Sequence, residues 1–231
     1  MAPARYAERV HCLVTAGPTY EPLDEVRRLT NFSTGKLGTL LANHLVQAGH
    51  QVTLLLGSYA TYRGESTASA TEHFTSSSDL HARLERHAGA GVDAVYHAAA
   101  VSDFKFGRVW ERAGDGILTE VQEKKVSTRD RNLFVELVPA FKIISQLRGW
   151  FPKATLVGWK YEVDGDRASV IEKARVQVRQ NATNACVANG SAYGFGFGIV
   201  GEGSHSHFSD TAELYRALEH LALHRDARET L

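Results

Sequence analysis

Six consecutive residues, Ser33-Thr34-Gly35-Lys36-Leu37-Gly38, hold the first chemistry met along the chain. They follow an apolar run, Val10 to Val14, that reads as a buried strand, and then a long polar loop; they open an amphipathic helix. A strand, a glycine-containing loop and a helix N-terminus make a phosphate site, because free backbone N–H groups and the helix dipole both favour an anion. In that reading Ser33, Gly35 and Gly38 bring backbone close to phosphate and Lys36 adds charge. The same residues also suit an ordinary helix start, capped by Ser33 or Thr34, with Gly38 admitting close helix–sheet packing. Two other phosphate motifs do not fit. A P-loop needs Gly-Lys followed by Ser or Thr, and here Leu37 follows Lys36. A dinucleotide fingerprint needs Gly-x-Gly-x-x-Gly directly after the first strand and an acidic residue ending the second. The second strand ends Leu55-Leu56-Gly57-Ser58.

A second candidate is Ala98-Ala99-Ala100-Val101-Ser102-Asp103. Small residues leave room for a base or sugar against the backbone, and Asp103 would hold a metal or a ribose hydroxyl. Tight packing of the alanines, with Asp103 closing a turn, is the plain alternative. Lys124-Lys125-Val126-Ser127 offers ammonium groups that stabilise charge in phosphoryl or nucleotidyl transfer, or forms a solvated loop. The eleven histidines show no metal-ligand spacing. His97 reads as a satisfied buried histidine. His205 and His207, two apart on a strand, share one side. Cys12 and Cys186 fall inside expected buried strands and read as reduced core thiols.

These groups need elements to hold them. After the first strand, Lys36 to Ala48 reads as a helix ended by Gly49. Gln51 to Leu56 is a strand, 57–77 mostly loop with a short strand near Glu72 to Thr75, and Asp79 to His87 a helix with Ser78 as N-cap. Asp93 to His97 and Leu133 to Leu137 are strands, with Gly107 to Glu123 a long loop between them. Pro139 starts a helix to about Trp150. Ala154 to Glu162 is a strand, Arg167 to Gln180 a helix and Ala185 to Ala188 a strand. A β-hairpin follows with Gly203 near its turn, and Thr211 to Arg225 is a closing helix capped by Asp210. The alternation predicts a Rossmann-like, doubly wound α/β fold: a mostly parallel sheet, helices on both faces and a C-terminal hairpin extension. Ligands bind such sheets at the carboxyl ends of the strands, so the loops at Ala16–Thr34, Ala98–Lys125, Lys160 and Asn189 are the places to look.

The chain has 231 residues, the length of one nucleotide-binding α/β domain over 1–231. Its 26 basic and 26 acidic residues balance, which argues against a nucleic-acid footprint. No apolar run approaches membrane-spanning length, and the N-terminus lacks the apolar core of a secretory signal. These features point to a cytoplasmic protein.

Several pieces recur, in order, in one family. The chain resembles phosphopantothenate–cysteine ligase (phosphopantothenoylcysteine synthetase) of coenzyme A biosynthesis, in its standalone form. The resemblance rests on Thr15-Ala16-Gly17-Pro18-Thr19, Glu21-Pro22-Leu23-Asp24, Val26-Arg27 and Asn31 to Gly38, then Ala98 to Phe104, Lys125-Val126-Ser127, Val157-Gly158-Trp159-Lys160 and Val187-Ala188-Asn189. It implies a carboxylate activated as an acyl-nucleotidylate, with CTP or ATP as co-substrate and Mg²⁺, then captured by the amine of cysteine. It implies Asn31 and Lys125 as catalytic residues, with Arg27 and Asn31 contacting substrate. Gly17, Ser33, Gly35, Lys36, Gly38, Ala99, Ala100, Asp103, Trp159 and Asn189 would bind nucleotide, and Asp103 also the metal. It further implies a homodimer, with the Gly/Phe hairpin at about 190–209 as its contact, and no flavin, since no decarboxylase domain is present.

The chain departs from fused bacterial members in having Val138-Pro139-Ala140 where they carry Asn-Pro-Asp and Gln177 and Asn181 where they carry lysines, and from the family's usual pattern in having Gly190 where Asp is usual and Trp159 where Phe is common. Two other readings stay open: a nucleotide-binding paralogue without this catalysis or with a different specificity, and an NAD(P)-type oxidoreductase. The latter is disfavoured because neither Tyr161 nor Tyr193 is followed by Lys at four.

Overall fold

A computed structural model of the chain describes residues 9–112, 116–121 and 132–224. In chain order it contains β1 (His11–Ala16), β2 (Tyr20–Pro22), β3 (Arg28–Thr30), α1 (Lys36–Gln47), β4 (Gln51–Gly57), β5 (Ala70–Phe74), α2 (Ser77–Arg86) and β6 (Ala94–His97). Then come β7 (Phe104–Arg112), β8 (Leu118–Glu120), β9 (Asn132–Pro139), a 3₁₀ turn at Ile143–Ser145 and α3 (Leu147–Trp150). The chain continues through β10 (Thr155–Tyr161), α4 (Arg167–Asn181), β11 (Ala185–Asn189), β12 (Phe197–Val200), β13 (His205–Phe208) and α5 (Thr211–Leu223).

Eight strands form the central sheet in the order β13-β12-β11-β10-β6-β1-β4-β5. The six from β5 to β11 pair in parallel, and β12 and β13 add an antiparallel hairpin to the β11 edge. Counted along the chain, the parallel strands run 3-2-1-4-5-6, so the order reverses between β1 and β6. The central strands are buried on both faces, which is why they read as continuous apolar runs. Cys12, Val14 and Ala16 point into the core under α1 and α5, while Leu13 joins α2 and α3 on the opposite face. α4 lies on that second face, burying Val170, Ala174 and Val178 at four-residue spacing.

Four expectations are corrected. The loop after β1 contains the hairpin β2–β3. Ser76, not Ser78, caps α2: its side chain accepts from the Asp79 amide at 3.2 Å. Residues 104–112 and 118–120 are strands of a separate sheet, ordered β8-β7-β9, rather than loop. Leu133 to Leu137 belongs to that sheet, and its strand runs on to Pro139, opposite Phe104. Pro139 therefore ends an edge strand, where its missing N–H costs no ladder bond, and the helix beyond it is confined to Leu147–Trp150.

The C-terminal hairpin turns as expected, and Asp210 caps α5 through the Glu213 amide. Its aromatic side chains serve mostly the interior. Phe197 and Phe208 pack against the main core, Tyr193 is buried, and Phe195 is 78% exposed.

Gly38 sits where α1 crosses β1. A Cβ there would stand 2.6 Å from Ala16 Cβ and 3.2 Å from the Thr15 carbonyl oxygen. Alanine favours a helix interior by about 1 kcal/mol, but overpacking a rigid contact costs about 1–3 kcal/mol. The clash involves backbone that cannot yield, so it wins. We expect Gly38→Ala to lose about 1 kcal/mol of stability in urea unfolding; a gain would show that the helix shifts freely on the sheet.

Candidate active site

The loop after β1 and the loop after β6 are sewn together beyond the ends of their strands. The Ala98 amide donates to the Thr15 carbonyl, the Ala100 amide to Gly17, and the Thr19 amide to Ala100, at 3.2, 2.9 and 3.0 Å. The Thr15 hydroxyl accepts from the Ala99 amide and pairs with His97 Nδ1. The buried Thr19 hydroxyl accepts from the Ser102 amide at 2.9 Å. Asn31 Nδ2 then donates to the Ala100 carbonyl at 2.9 Å. The seam lies at the switch point of the sheet.

The motif residues between β1 and α1 build this loop. Glu21 is buried, and its carboxylate accepts from the Ser77 amide and hydroxyl at the start of α2, where helix polarity favours an anion. Asp24 accepts from the Val26 and Arg27 amides and pairs with the Arg27 guanidinium. Arg28 stacks over Tyr59, 3.4 Å from the ring centroid. Gly35 is the N-cap of α1 at φ 80°, a left-handed conformation that suits glycine. It makes no side-chain cap, so the start of α1 stays open; Thr34 Oγ1 accepts from the Lys36 amide.

These loops line a cavity of about 1230 Å³ at the carboxyl ends of the strands. The sequence-expected residues Asn31, Ser33, Ala99, Ala100, Asp103, Trp159 and Asn189 all reach its wall. Gly17, Gly35 and Gly38 lie behind the wall: Gly17 and Gly35 pack against Ala60, and Gly38 against Ala16. Lys36 is exposed at the start of α1, and Arg27 is engaged with Asp24; neither lines the cavity. Lys125 lies outside the described residues, as do Lys124, Val126 and Ser127.

Of the far wall the sequence marked Gln177 and Asn181 only as departures from the family pattern and Lys160 as a strand end, and it did not mark Lys142, Ser169 or Lys173. The wall comes from α4, which contributes Ser169, Lys173, Gln177 and Asn181 at four-residue spacing, and from Lys142 and Lys160. That polar stripe on one side of the helix was the available signal. Lys160 and Lys173 both bind Glu162, at 3.1 and 2.6 Å. The Lys173 hydrogen bond, followed by that of Lys160, holds the Glu162 carboxyl below its ordinary range. Two buried polar atoms at the wall, Trp159 Nε1 and Asn189 Oδ1, have no hydrogen-bond partner among the described residues. Cys186 is the inert thiol expected: burial pushes it up to about 12.

His97 borders the cavity yet is 6% exposed, and burial lowers it to about 4. An unfolded histidine titrates near about 6.5. Above that pH both states are neutral and the residue contributes nothing. As pH falls from about 6.5 to about 4, the unfolded chain takes a proton that the folded chain refuses, so stability falls by about 3 kcal/mol in all. We expect His97→Gln to remove this part of the acid dependence in urea unfolding. An unchanged slope would assign it to other groups.

Residues 7–213 match the family model for the DNA/pantothenate metabolism flavoprotein C-terminal domain. The coenzyme A biosynthesis bifunctional protein CoaBC of Thermococcus kodakarensis is 33% identical over 177 residues, which are 77% of this chain and 40% of the relative. The chain spans about two fifths of the length of the curated relatives it matches. The solved C-terminal domain of a CoaBC protein superposes with a TM-score of 0.72 at 26% identity, covering 94% of this chain and 96% of that one. A Cab2 mutant in complex with phosphopantothenate-cysteine shares the fold, with a TM-score of 0.67 at 19% identity, over 93% of this chain and 87% of that one. Among the described residues no helix is long and apolar enough to cross a membrane. With its model matched over most of its length, the chain belongs to the family of the DNA/pantothenate metabolism flavoprotein C-terminal domain.

Proposed function

We propose that the switch-point cavity is the active site of a nucleotide-dependent ligase that joins 4′-phosphopantothenate to L-cysteine in coenzyme A biosynthesis, within one domain over 1–231. The observation that carries this reading is the convergence of two sequence blocks, Asn31 to Thr34 and Ala98 to Asp103, on one cavity. The relatives' names support it, as does the ligand of the Cab2 complex, which is the product of such a reaction.

The chemistry runs in two steps. A carboxylate oxygen of phosphopantothenate attacks the α-phosphorus of the nucleotide, the bond to the bridging oxygen breaks, and pyrophosphate leaves. The cysteine amine then attacks the acyl carbon, gives up a proton, and the nucleoside monophosphate leaves with its oxygen. A carboxylate is a poor acyl donor until its oxygen becomes a leaving group, and neutralising phosphate charge lowers the first barrier.

In this reading the open start of α1, with Ser33 and Thr34, receives the phosphates. Gly17, Gly35 and Gly38 shape that start from behind, and Lys36 adds charge beside it. Ala99 and Ala100 lie along the base, Trp159 offers it a flat face, and Asn189 lies beside it. One Nδ2 hydrogen of Asn31 holds the seam; the other, and Oδ1, are left for the acyl group. Lys125 neutralises the α-phosphate, and Arg27, beside Asp24, contacts the substrate. Among the described residues no three or more His, Cys, Asp or Glu groups gather into a metal cage. The exposed carboxylate of Asp103 instead suits Mg²⁺ completed by phosphate oxygens and water, which would neutralise the departing pyrophosphate. The reading also takes the protein as a cytoplasmic homodimer whose contact includes residues 190–209; β13 is the open edge of the central sheet.

Pyrophosphate release should require phosphopantothenate, with either CTP or ATP giving the faster rate in the presence of Mg²⁺. Lys125→Gln should lower it by about 10²–10³-fold, the loss typical of one charge-stabilising donor, and Asn31→Ala should reduce it strongly. Nucleotide binding without release would instead identify a non-catalytic paralogue. Light scattering at micromolar concentration should give the dimer mass; a monomer mass would remove the hairpin's assigned role.

A further inference from the structure

Away from the cavity, three metal-ligating side chains converge at the open edge of the central sheet. His205 and His207 lie two apart on β13, so their imidazoles share one face. Phe208 alternates to the other face and packs against the main core. The two imidazoles therefore stand on the face of α4, where they meet Tyr193. That residue is 1% exposed and packs with Val170, Ala174 and Val178. Tyr193 Oη lies 3.2 Å from His205 Nε2 and 3.0 Å from His207 Nδ1. Sequence spacing supplies only the two histidines; folding supplies the third donor.

Metal–nitrogen and metal–oxygen bonds of about 2.0–2.1 Å at tetrahedral angles set neighbouring donor atoms about 3.3 Å apart. The phenol oxygen is thus already spaced from both nitrogens as ligands of one ion are. Gly198 keeps the meeting point open: a Cβ there would stand 2.8 Å from Tyr193 Oη and 3.1 Å from His205 Nε2. Gly196 admits the other ring, since a Cβ there would stand 2.7 Å from His207 Cε1. Both histidines are exposed, which gives an ion access from solvent. Tyr193 is anchored: its amide donates to the Gly190 carbonyl at 3.1 Å, and its own carbonyl accepts from Arg167 Nε at 2.8 Å. One phenol hydrogen faces two ring nitrogens, so the hydrogen-bonded form needs one imidazole to turn its N–H inward. An ion uses a lone pair of each group at once. Burial, followed by the charges of His207, Arg167 and Arg175, lowers His205 and keeps it in the neutral form that ligates. The Arg167 guanidinium, 4.7 Å from the Tyr193 ring centroid, opposes a further cation. Release of the phenol proton to solvent as the metal–oxygen bond forms offsets that charge.

We propose that Tyr193, His205 and His207 bind one divalent transition-metal ion of the Zn²⁺ kind, with water in the fourth position, and that the ion clamps β13 to the turn after β11. Imidazole ligands select such an ion over Mg²⁺, which takes oxygen ligands and keeps its waters. The site therefore stands apart from Mg²⁺ taken with nucleotide, and it holds whether or not the chain is a ligase.

The test is calorimetric titration of the chelator-treated full chain with Zn²⁺ alone. One ion should bind per chain, and Zn²⁺ should raise the thermal unfolding temperature, because an ion held only by the folded state stabilises it. His205→Gln and His207→Gln, both on the exposed edge, should each lose this binding and the rise in unfolding temperature. Tyr193→Phe, which keeps the buried ring, should weaken the binding. His220 and His224, whose ring centroids are 4.0 Å apart at the end of α5, are the other histidine pair at the surface. The double variant His220→Gln, His224→Gln should leave the titration unchanged. No binding at micromolar Zn²⁺, binding retained in both β13 variants, or binding lost in the α5 double variant overturns the proposal. Indifference to Tyr193→Phe also overturns it, by reducing the site to a bare pair of surface histidines.

Discussion

The cavity depends on the polar seam that joins the loop after β1 to the loop after β6. Parallel strands stop pairing where their ladders end, and loops at a switch point normally diverge there. Here the pairing continues for several residues through Thr15, Gly17, Thr19, Ala100 and Ser102. Each hydrogen bond contributes modestly by itself, but leaving any of these buried groups unmade costs about 1–3 kcal/mol. Thr19 is fully buried, so its hydroxyl has to be satisfied within the protein. The seam thereby fixes the spacing between the start of α1 and the alanine run.

The first block divides into two kinds of residue once the fold is known. Asn31, Ser33 and Thr34 face the cavity. Glu21, Asp24 and Arg27 spend their charges on one another or on α2, holding the loop in place. The glycines behave likewise, since Gly38 sets the distance of α1 from β1 and Gly35 packs against Ala60, and neither lines the site. Sequence alone leaves open whether such a motif cradles a ligand or closes a helix onto a sheet. In this chain one stretch does the packing and, on the exposed side, presents the open helix start.

The parallel core was legible in the sequence because burial on both faces leaves no alternative to apolar runs such as Leu54-Leu55 and Val95-Tyr96. Of the small sheet only β9 was, at Leu133 to Leu137, and it read as a strand of the main sheet; β7 keeps Phe104 exposed and carries no clean alternation over 104–112. Pro139 imitated a helix start because proline suits both a first helical turn and the end of an edge strand. That the helix expected at 167–180 walls the cavity was not legible, for another reason. Its buried residues set the helix period, and the polar residues between them look like any solvated surface until β10 and β11 are placed beneath them.

The seam also has a consequence for how the protein comes into being. Thr19 and Ser102 are 83 residues apart, and the α4 wall is contributed later still. Closing contacts of such separation is slow, because chain entropy must be overcome before they form. During synthesis the start of α1 leaves the ribosome long before the strand that faces it, and the cavity has no walls until β6, β10 and α4 have all emerged. Any ligand held there therefore meets only finished molecules, and by binding the folded state alone it draws newly made chains towards completion.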